Sequence, residues 1–445
     1  MSGCAVIELN DAAISLFRPE REPVVSPAYA VVSPDELKIG ERAFREARLR
    51  PHLVHTQFWS KLSMNPLPQP GHGARNYADL AYAHLLHLWE SSKDDDDEVI
   101  FVVPSTFGRE QLALLLGISR ECPFDPVGLV DSAVAAAADL ARPGPMLHVD
   151  FQLQRAVITV LRSDAAVERE SLEEIEAVGI ASLRDAWIGL IADIFISETR
   201  FDPLHSAESE QTLYNELSNW LRALRSAPDV AVEIETAGTP MRISLARTRL
   251  IEHVRARYDA VVSELSRLVS RLGQTTILVS HRVNLAPGLT DAIAAIAEVD
   301  VIVLDKDAAA RGALSRMNEV RSSGEALAFV TRLSAAQVHS PAQLVPGPPA
   351  PAPRARATHL LWHHTAYVLS PGTIVIGGPE GRVPEASCNA LLRHDADATR
   401  LVDAAEDLRV NDEPASAVQE LRAGDRIQCD GQEYLLITLA PEHGS

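Results

Sequence analysis

Apolar residues along the chain fall into short runs with a strand period, separated by longer stretches with a helical period. "CAVIELNDAAISLF" (4–17) predicts two short strands around a turn. "EVIFVVP" (98–104) predicts a buried strand that feeds the helix "FGREQLALLLGIS". The strand "PVGLVD" (126–131) and the small-residue helix "SAVAAAADLA" (132–141) follow, and then "VDFQLQRAVITVL" (149–161), a hairpin whose turn contains no glycine. A long helical stretch is expected over 171–225 around "FDPLH", and a second hairpin over 231–247 with its turn at Ala237 to Pro240. A helix over 248–272 leads into "TTILVSHRVNLAPGLTDAIAAI" (275–296) and "VDVIVLDKDAAARGALSRM" (299–317). Alternating strands and helices predict an α/β fold for this part of the chain.

The pattern breaks at "PAQLVPGPPAPAPRARAT" (341–358), where proline density excludes helix and central strand and favours a stiff, extended spacer. The predicted organisation is a large module over 1–336, a Pro-rich linker over 337–357 and a small module over 358–445. The small module reads as all-β, because short alternating runs are broken by Gly, Pro and Asp.

At 445 residues the chain is too long for a single core, and its 46% hydrophobic content is that of a globular protein. A formal net charge of −20 opposes general binding to nucleic acid or anionic lipid, so neither is expected as a partner. The four cysteines are scattered without a C-x-x-C pair, and no apolar run approaches the roughly 20 residues of a membrane span. A cytoplasmic location is expected. The "DDDD" run at 94–97 reads as a solvated loop.

The order of these pieces resembles the nucleotide-binding domain of heat-shock chaperones of the seventy-kilodalton class, in the actin-like ATPase superfamily. The likeness runs colinearly over about residues 4–320. It is carried by "KIGERAFREARLRP" with "FWSKL" behind it, "VVPSTFGREQ", "GLVDSAVAAAA", "ISETRFDPLHSAESEQTLYNELSNWLRAL", "MRISLARTRLIEHV" and "LDKDAAARGAL". The resemblance implies a two-lobed α/β fold with duplicated sheets about a cleft, in which ATP lies between two phosphate hairpins and an adenosine loop. No peptide-binding β-sandwich and helical lid of the chaperone type is recognised after this module.

Phosphate hairpins work because glycine lets backbone N–H groups approach phosphate oxygens, while a hydroxyl and a carboxylate organise magnesium and water. Here the first hairpin begins with Glu8 and continues with Asn10, Asp11, Ala12 and Ala13, in place of the family's glycine, two threonines and asparagine. The second keeps its acid as Asp150 but has Gln152, Leu153 and Gln154 for three glycines and Arg155 for a threonine. Asp11 would set a negative charge beside a polyphosphate, a repulsion of about 4 kcal/mol at ~4 Å for an effective dielectric of ~20. In the adenosine loop the glycine pair becomes Ser280 and His281, with Gly288 kept at the following turn. Ser218, Leu221 and Arg225 align with the adenine and ribose contacts.

Lys61 matches the family's catalytic lysine, and Asp131 stands where the family has a glutamate. With Asp150 these are vestigial catalytic candidates, readable either as a residual magnesium or phosphate site or as a salt-bridged cleft floor. For Gln152 to Arg155 two readings also stand: a solvated turn, or a plug in which Arg155 fills the phosphate space and pairs with Asp150 or Asp11.

The small module resembles a forkhead-associated domain through "YVLSPGTIVIGG" and "LRVNDEPASAVQELRAGDRIQCDGQEYLLITL". In that family the sandwich commonly reads phosphothreonine. Here Gly378 stands where the phosphate-reading arginine would follow, Ser387 aligns with the family's serine, and Asn411 aligns with its loop asparagine. Without the arginine fork, phosphopeptide reading is disfavoured. His84 and His87, one helical turn apart, read as an ordinary helix face rather than metal ligands.

The expected function is therefore a pseudo-ATPase scaffold or adaptor that binds other proteins, with no cofactor and no metal. The alternatives are a regulator that binds ATP or ADP with magnesium and hydrolyses slowly, and a phosphopeptide-reading adaptor.

Overall fold

The computed structural model describes residues 4–92, 98–140, 142–176, 178–236, 239–322 and 327–335, and in the C-terminal part 357–362, 365–369, 372–376, 390–394, 398–403, 408–411, 413–415, 419–429 and 432–438. The acidic run, residues 237–238 of the turn expected at Ala237 to Pro240, and the proline-rich stretch up to residue 356 lie outside the described residues, whereas Thr239 and Pro240 already belong to the strand Thr239–Ala246. The chain forms two compact units, 1–340 and 341–445.

The N-terminal unit is α/β and carries the same topology twice. In the first sheet Cys4–Glu8 pairs antiparallel with Ala13–Phe17, and that strand pairs antiparallel with Val24–Pro27. On the other side of Cys4–Glu8 lie Glu98–Val103 and then Asp125–Asp131, both parallel. The second sheet repeats the plan: Gly144–Phe151, Arg155–Ser163 and Ala166–Glu176 form an antiparallel meander, and Thr275–Val279 and Val299–Val303 add in parallel. These inner strands are rich in Val, Ile and Leu and buried on both faces, as parallel strands covered by helices must be.

In each repeat a small-residue helix follows the last parallel strand: Ser132–Ala138 in the first and Ala308–Ser315 in the second. Both helices lie in one apolar cluster with Val6, Ile100 and Val130 of the first sheet and Met146, Leu161 and Leu278 of the second. They approach so closely that a Cβ on Gly312 would stand 1.8 Å from the carbonyl oxygen of Ala135. Small residues thus bring two backbones, and with them two sheets, into contact. The chain closes the arrangement itself: Phe329–Val330 pairs with Asp125–Asp131 of the first sheet, and Arg332–Ser334 pairs with Ala166–Glu176 of the second.

Two expectations need correcting. Residues 171–176 are not helical but end the strand Ala166–Glu176, because cross-strand bonding to Arg155–Ser163 outweighs the helix preference of the glutamates. The helices proper are Ile180–Thr199 and Ala207–Ala223. The stretch 248–272 is broken at Val254 into Arg247–His253 and Arg255–Leu272.

The described residues of the C-terminal unit form two antiparallel sheets, of six and four strands. They contribute to one core that includes Leu360, Leu392, Leu401, Ile427, Tyr434 and Leu436.

The helix contact makes a test of how tightly the two sheets are coupled. In an open helix position Gly→Ala stabilises by up to ~1 kcal/mol, as expected for Gly117, whose added Cβ meets nothing within 4 Å. Gly312→Ala is instead expected to destabilise by about 1–3 kcal/mol, because the clash is with backbone. The midpoints of urea unfolding of the two variants check this, with shifts in opposite directions.

Candidate functional site

The two predicted hairpins, one from each sheet, meet tip to tip. Asn10 in the first turn donates from Nδ2 to Asp150 Oδ2 (3.0 Å) and to the Phe151 carbonyl (3.1 Å), and its Oδ1 accepts the Ala12 N–H (2.9 Å). Asp11 Oδ1 accepts the backbone N–H of Leu153, in the second turn, at 2.6 Å. The Leu153 amide is therefore already bonded to a side chain of the opposite hairpin. Asp11 is buried, and burial raises its carboxyl to about 6, against the pull of the Leu153 amide and of Arg155 and Arg282.

The second turn is closed from behind as well. The carbonyls of Gln152 and Leu153 accept the first N–H groups of the helix Ile180–Thr199, from Ile180 (3.0 Å) and Ala181 (2.8 Å). Gly179 permits this approach: a Cβ there would lie 2.4–2.5 Å from backbone atoms of Leu153, Gln154 and Arg155. That helix N-terminus is spent on the turn and offers nothing to an anion. Gln152 donates to Thr106 Oγ1 (2.9 Å), which adds a tie to the loop after Glu98–Val103, and Leu153 is buried.

Arg155 is not the plug. It donates to Gln152 Oε1 (2.7 Å) and pairs with Glu174 on the neighbouring strand, so neither Asp150 nor Asp11 is its ion-pair partner. The position belongs to Arg282. Its Nη2 donates to Glu8 Oε1 at 2.5 Å, and its Nη1 to Asp150 Oδ2 and Oδ1 at 3.2 and 3.4 Å. One guanidinium thus joins the first hairpin's acid to the second's. Burial would lower the Arg282 pKa, but Asp150 and Glu8 hold it above its ordinary value. Burial would likewise raise Asp150, yet Arg282, His148 and a 2.5 Å hydrogen bond from Ser280 hold it below the usual carboxylate range. The free space among Glu8, His148, Asp150 and Arg282 is about 20 Å³, room for a single water.

Local structure explains how Arg282 gets there. Thr275–Val279 ends beside Asp150, Ser280 bonds the Val149 carbonyl through its N–H and caps the short helix His281–Asn284. The third residue after the strand then points back between the hairpins. His281, half-buried beside it, is lowered to about 4 by burial and by Arg282. Gly288, at φ 78°, starts the helix Leu289–Ala294.

The remaining candidates separate. Asp131 is fully buried and caps Ser132–Ala138 by accepting the N–H groups of Ala133 (2.9 Å) and Val134 (3.2 Å). It also accepts from Ser105 (3.0 Å) and Arg169 (2.7 Å). Lys61 is exposed and makes no side-chain hydrogen bond or ion pair among the described residues. Asp131 and Asp150 both act electrostatically on the buried His148, whereas Lys61 is exposed. Ser218 and Leu221 line a separate apolar cavity of about 80 Å³ that also touches Arg282.

Sequence reasoning missed Arg282, although a lone basic residue just after a buried strand, in a chain whose two buried acids needed a counter-charge, was the available signal. It also missed a clasp of Tyr29, Phe44, Arg184 and Tyr214. The two phenol oxygens lie 2.8 Å apart, Arg184 donates to both (3.3 and 3.5 Å), and Phe44 packs 5.2 Å from Tyr29 and 5.1 Å from Tyr214. This holds the segment around "KIGERAFREARLRP" against the helices of the second half. His84 is a core residue: the Trp59 indole donates to its Nδ1 (3.0 Å), its Nε2 lies 2.8 Å from Ser26 Oγ, and burial lowers it to about 3.

In the C-terminal unit Gly378 and Ser387 lie outside the described residues. Asn411, at φ 53°, donates to Asp425 (3.0 Å) and accepts the Arg426 N–H (3.0 Å), so its amide braces the turn before Arg426–Cys429.

A triphosphate with magnesium does not fit these residues: the amide, the acids and the space are committed to Asp11, Arg282 and one another. No group of three or more potential metal ligands occurs among the described residues, and none of the described helices is long and apolar enough to cross a membrane. No family model and no curated protein matches the chain.

Asp11 supplies a pH test. A carboxyl at about 6 when folded against 3.8 when unfolded binds its proton more readily in the folded state, so its ionisation destabilises the fold as pH rises through that interval. Asp11→Asn keeps an acceptor for Leu153 and removes the charge. It is expected to stabilise by roughly 3 kcal/mol above pH ~6 and by almost nothing below pH ~4. Urea denaturation across this range checks it.

Proposed function

We propose that the N-terminal unit is a heat-shock-chaperone-type, actin-like nucleotide-binding fold that no longer holds nucleotide, and that the protein acts as a pseudo-ATPase scaffold binding other proteins. The observation that carries this reading is the Glu8–Arg282–Asp150 bridge, with Asn10 and Asp11 bonded to the opposite hairpin across the place where a polyphosphate would lie. The twice-repeated sheet plan and the paired small-residue helices support the actin-like assignment. The antiparallel sheets of the C-terminal unit are compatible with a forkhead-associated sandwich.

In an active enzyme of this type, nucleotide between the hairpins sets the relation of the two halves. Here a salt bridge and backbone hydrogen bonds of the chain itself take that part, which favours one fixed binding surface over a cycling one. A second module on a proline-rich tether raises avidity through effective concentration when both partner sites lie within its reach. A cytoplasmic setting and protein partners belong to the same proposal. The slow-ATPase alternative is weaker because Asp131 is bonded to Arg169 and Asp150 to Arg282, and phosphopeptide reading is weaker because Asn411 is engaged within its own turn.

Titration calorimetry of the full chain with magnesium and ATP tests the proposal. No heat of binding is expected at millimolar nucleotide, and micromolar affinity would replace the scaffold by the ATP-binding regulator.

A further inference from the structure

The strand Val299–Val303 ends the second sheet: it pairs in parallel with Thr275–Val279 on one side and, among the described residues, with no strand on the other. In the first sheet the matching strand, Asp125–Asp131, has its outer edge covered by Phe329–Val330 and by a bridge from Gly128 to Arg321. The Leu304 N–H bonds the Val279 carbonyl (2.8 Å) and the Glu298 carbonyl accepts the Thr275 N–H (3.1 Å), so the even-numbered residues face Thr275–Val279. Alternation then aims the backbone N–H and C=O of Val299, Val301 and Val303 outward, and none of these groups is bonded among the described residues. Native edge strands are commonly blunted by lysine, proline or a bulge. This one reads VDVIV, pairs in unbroken register and leaves Val303 43% exposed.

A row of free donors and acceptors is complementary to another extended segment, and the strand is itself such a segment. We propose that two copies of this chain join edge to edge through Val299–Val303, antiparallel and two-fold related about Val301. In that register Val301 lies opposite Val301 of the second copy, and Val299 opposite Val303. All three outward residues then fall in hydrogen-bonded pairs, about six bonds in all, and valine meets valine along the seam. A slip of one residue sets outward groups against inward ones and loses them, so the register is specified. Charge permits the pairing: Asp300, the one ionisable residue of the strand, is paired with Arg142, so each copy brings its acid already balanced. The contact is small. Two five-residue edges fall short of the roughly 1,200 Å² of a stable interface, and the net charge of −20 on each copy opposes approach, so the dimer is weak and concentration-dependent. The proposal goes beyond the scaffold reading and does not depend on it.

Sedimentation velocity of the full chain over about 5–500 µM tests it. A monomer–dimer equilibrium is expected, with a dissociation constant on the order of 100 µM, severalfold tighter in about 0.5 M salt, which screens the charge. Val301→Pro removes an N–H at the axis that serves no bond within the chain, and Val303→Lys places a charge at an exposed edge position. Each is expected to leave the circular dichroism unchanged and to weaken association at least about tenfold. Introduced cysteines and a short bis-thiol cross-linker read the register, with the unsubstituted chain as control. Val301→Cys is expected to give a covalent dimer, its two Cα atoms lying about 5.5 Å apart, whereas Val303→Cys is not, its two copies being four residues, roughly 13 Å, apart. A monomer throughout, a dimer that Val301→Pro and Val303→Lys leave intact, or cross-linking at 303 in preference to 301 would each overturn the proposal. None of these results bears on nucleotide binding, so the scaffold reading stands or falls by its own titration.

Discussion

Two carboxylates, Glu8 and Asp150, arrive from different sheets at one buried spot, where like charges repel unless a positive charge stands between them. The chain supplies Arg282, and the geometry around the hairpins follows from that choice. Once the guanidinium bridges the two acids, the space left over is about that of one water, and the turns are close enough for Asn10 and Asp11 to reach the opposite backbone. Breaking such a buried arrangement by removing one partner costs about 3–5 kcal/mol, comparable to a sizeable part of a domain's whole stability. The bridge therefore both fills the site and helps hold the halves together.

The other ties between the halves are of different kinds, which makes them robust to loss of any one. Helix Ser132–Ala138 meets Ala308–Ser315 through Gly312, the Tyr29 to Tyr214 clasp joins aromatic and cationic groups, and the short segment 329–334 pairs with an edge of each sheet. Asp131 has a structural role. It caps a helix and pairs with Arg169, and nothing about that role needs a nucleotide.

Much of the framework was legible in the sequence because strand runs such as "EVIFVV" and hairpins such as 149–161 are set by local apolar pattern, and those elements stand where the pattern put them. The misjudged elements were decided by contacts far apart in sequence. Residues 171–176 carry a helix-like composition yet pair with a strand, and no local rule announces that. That the hairpin turns carry side chains rather than glycine, and that the space between them would be filled, was visible in the sequence. Which residue fills it was not, because Arg282 lies more than a hundred residues from either acid and only the fold brings it back. Arg155, nearer in sequence, turned instead to Glu174 on the adjacent strand.

The backbone amide of Leu153 reports most directly on whether side chains of this protein stand in for the phosphate. Its hydrogen-exchange rate, measured with and without magnesium and ATP, should be slow in the nucleotide-free chain, since Asp11 already accepts that N–H, and should not change when nucleotide is added. Rapid exchange in the free chain that becomes slow on adding ATP would mean that the amide waits for a phosphate oxygen, and would contradict the account.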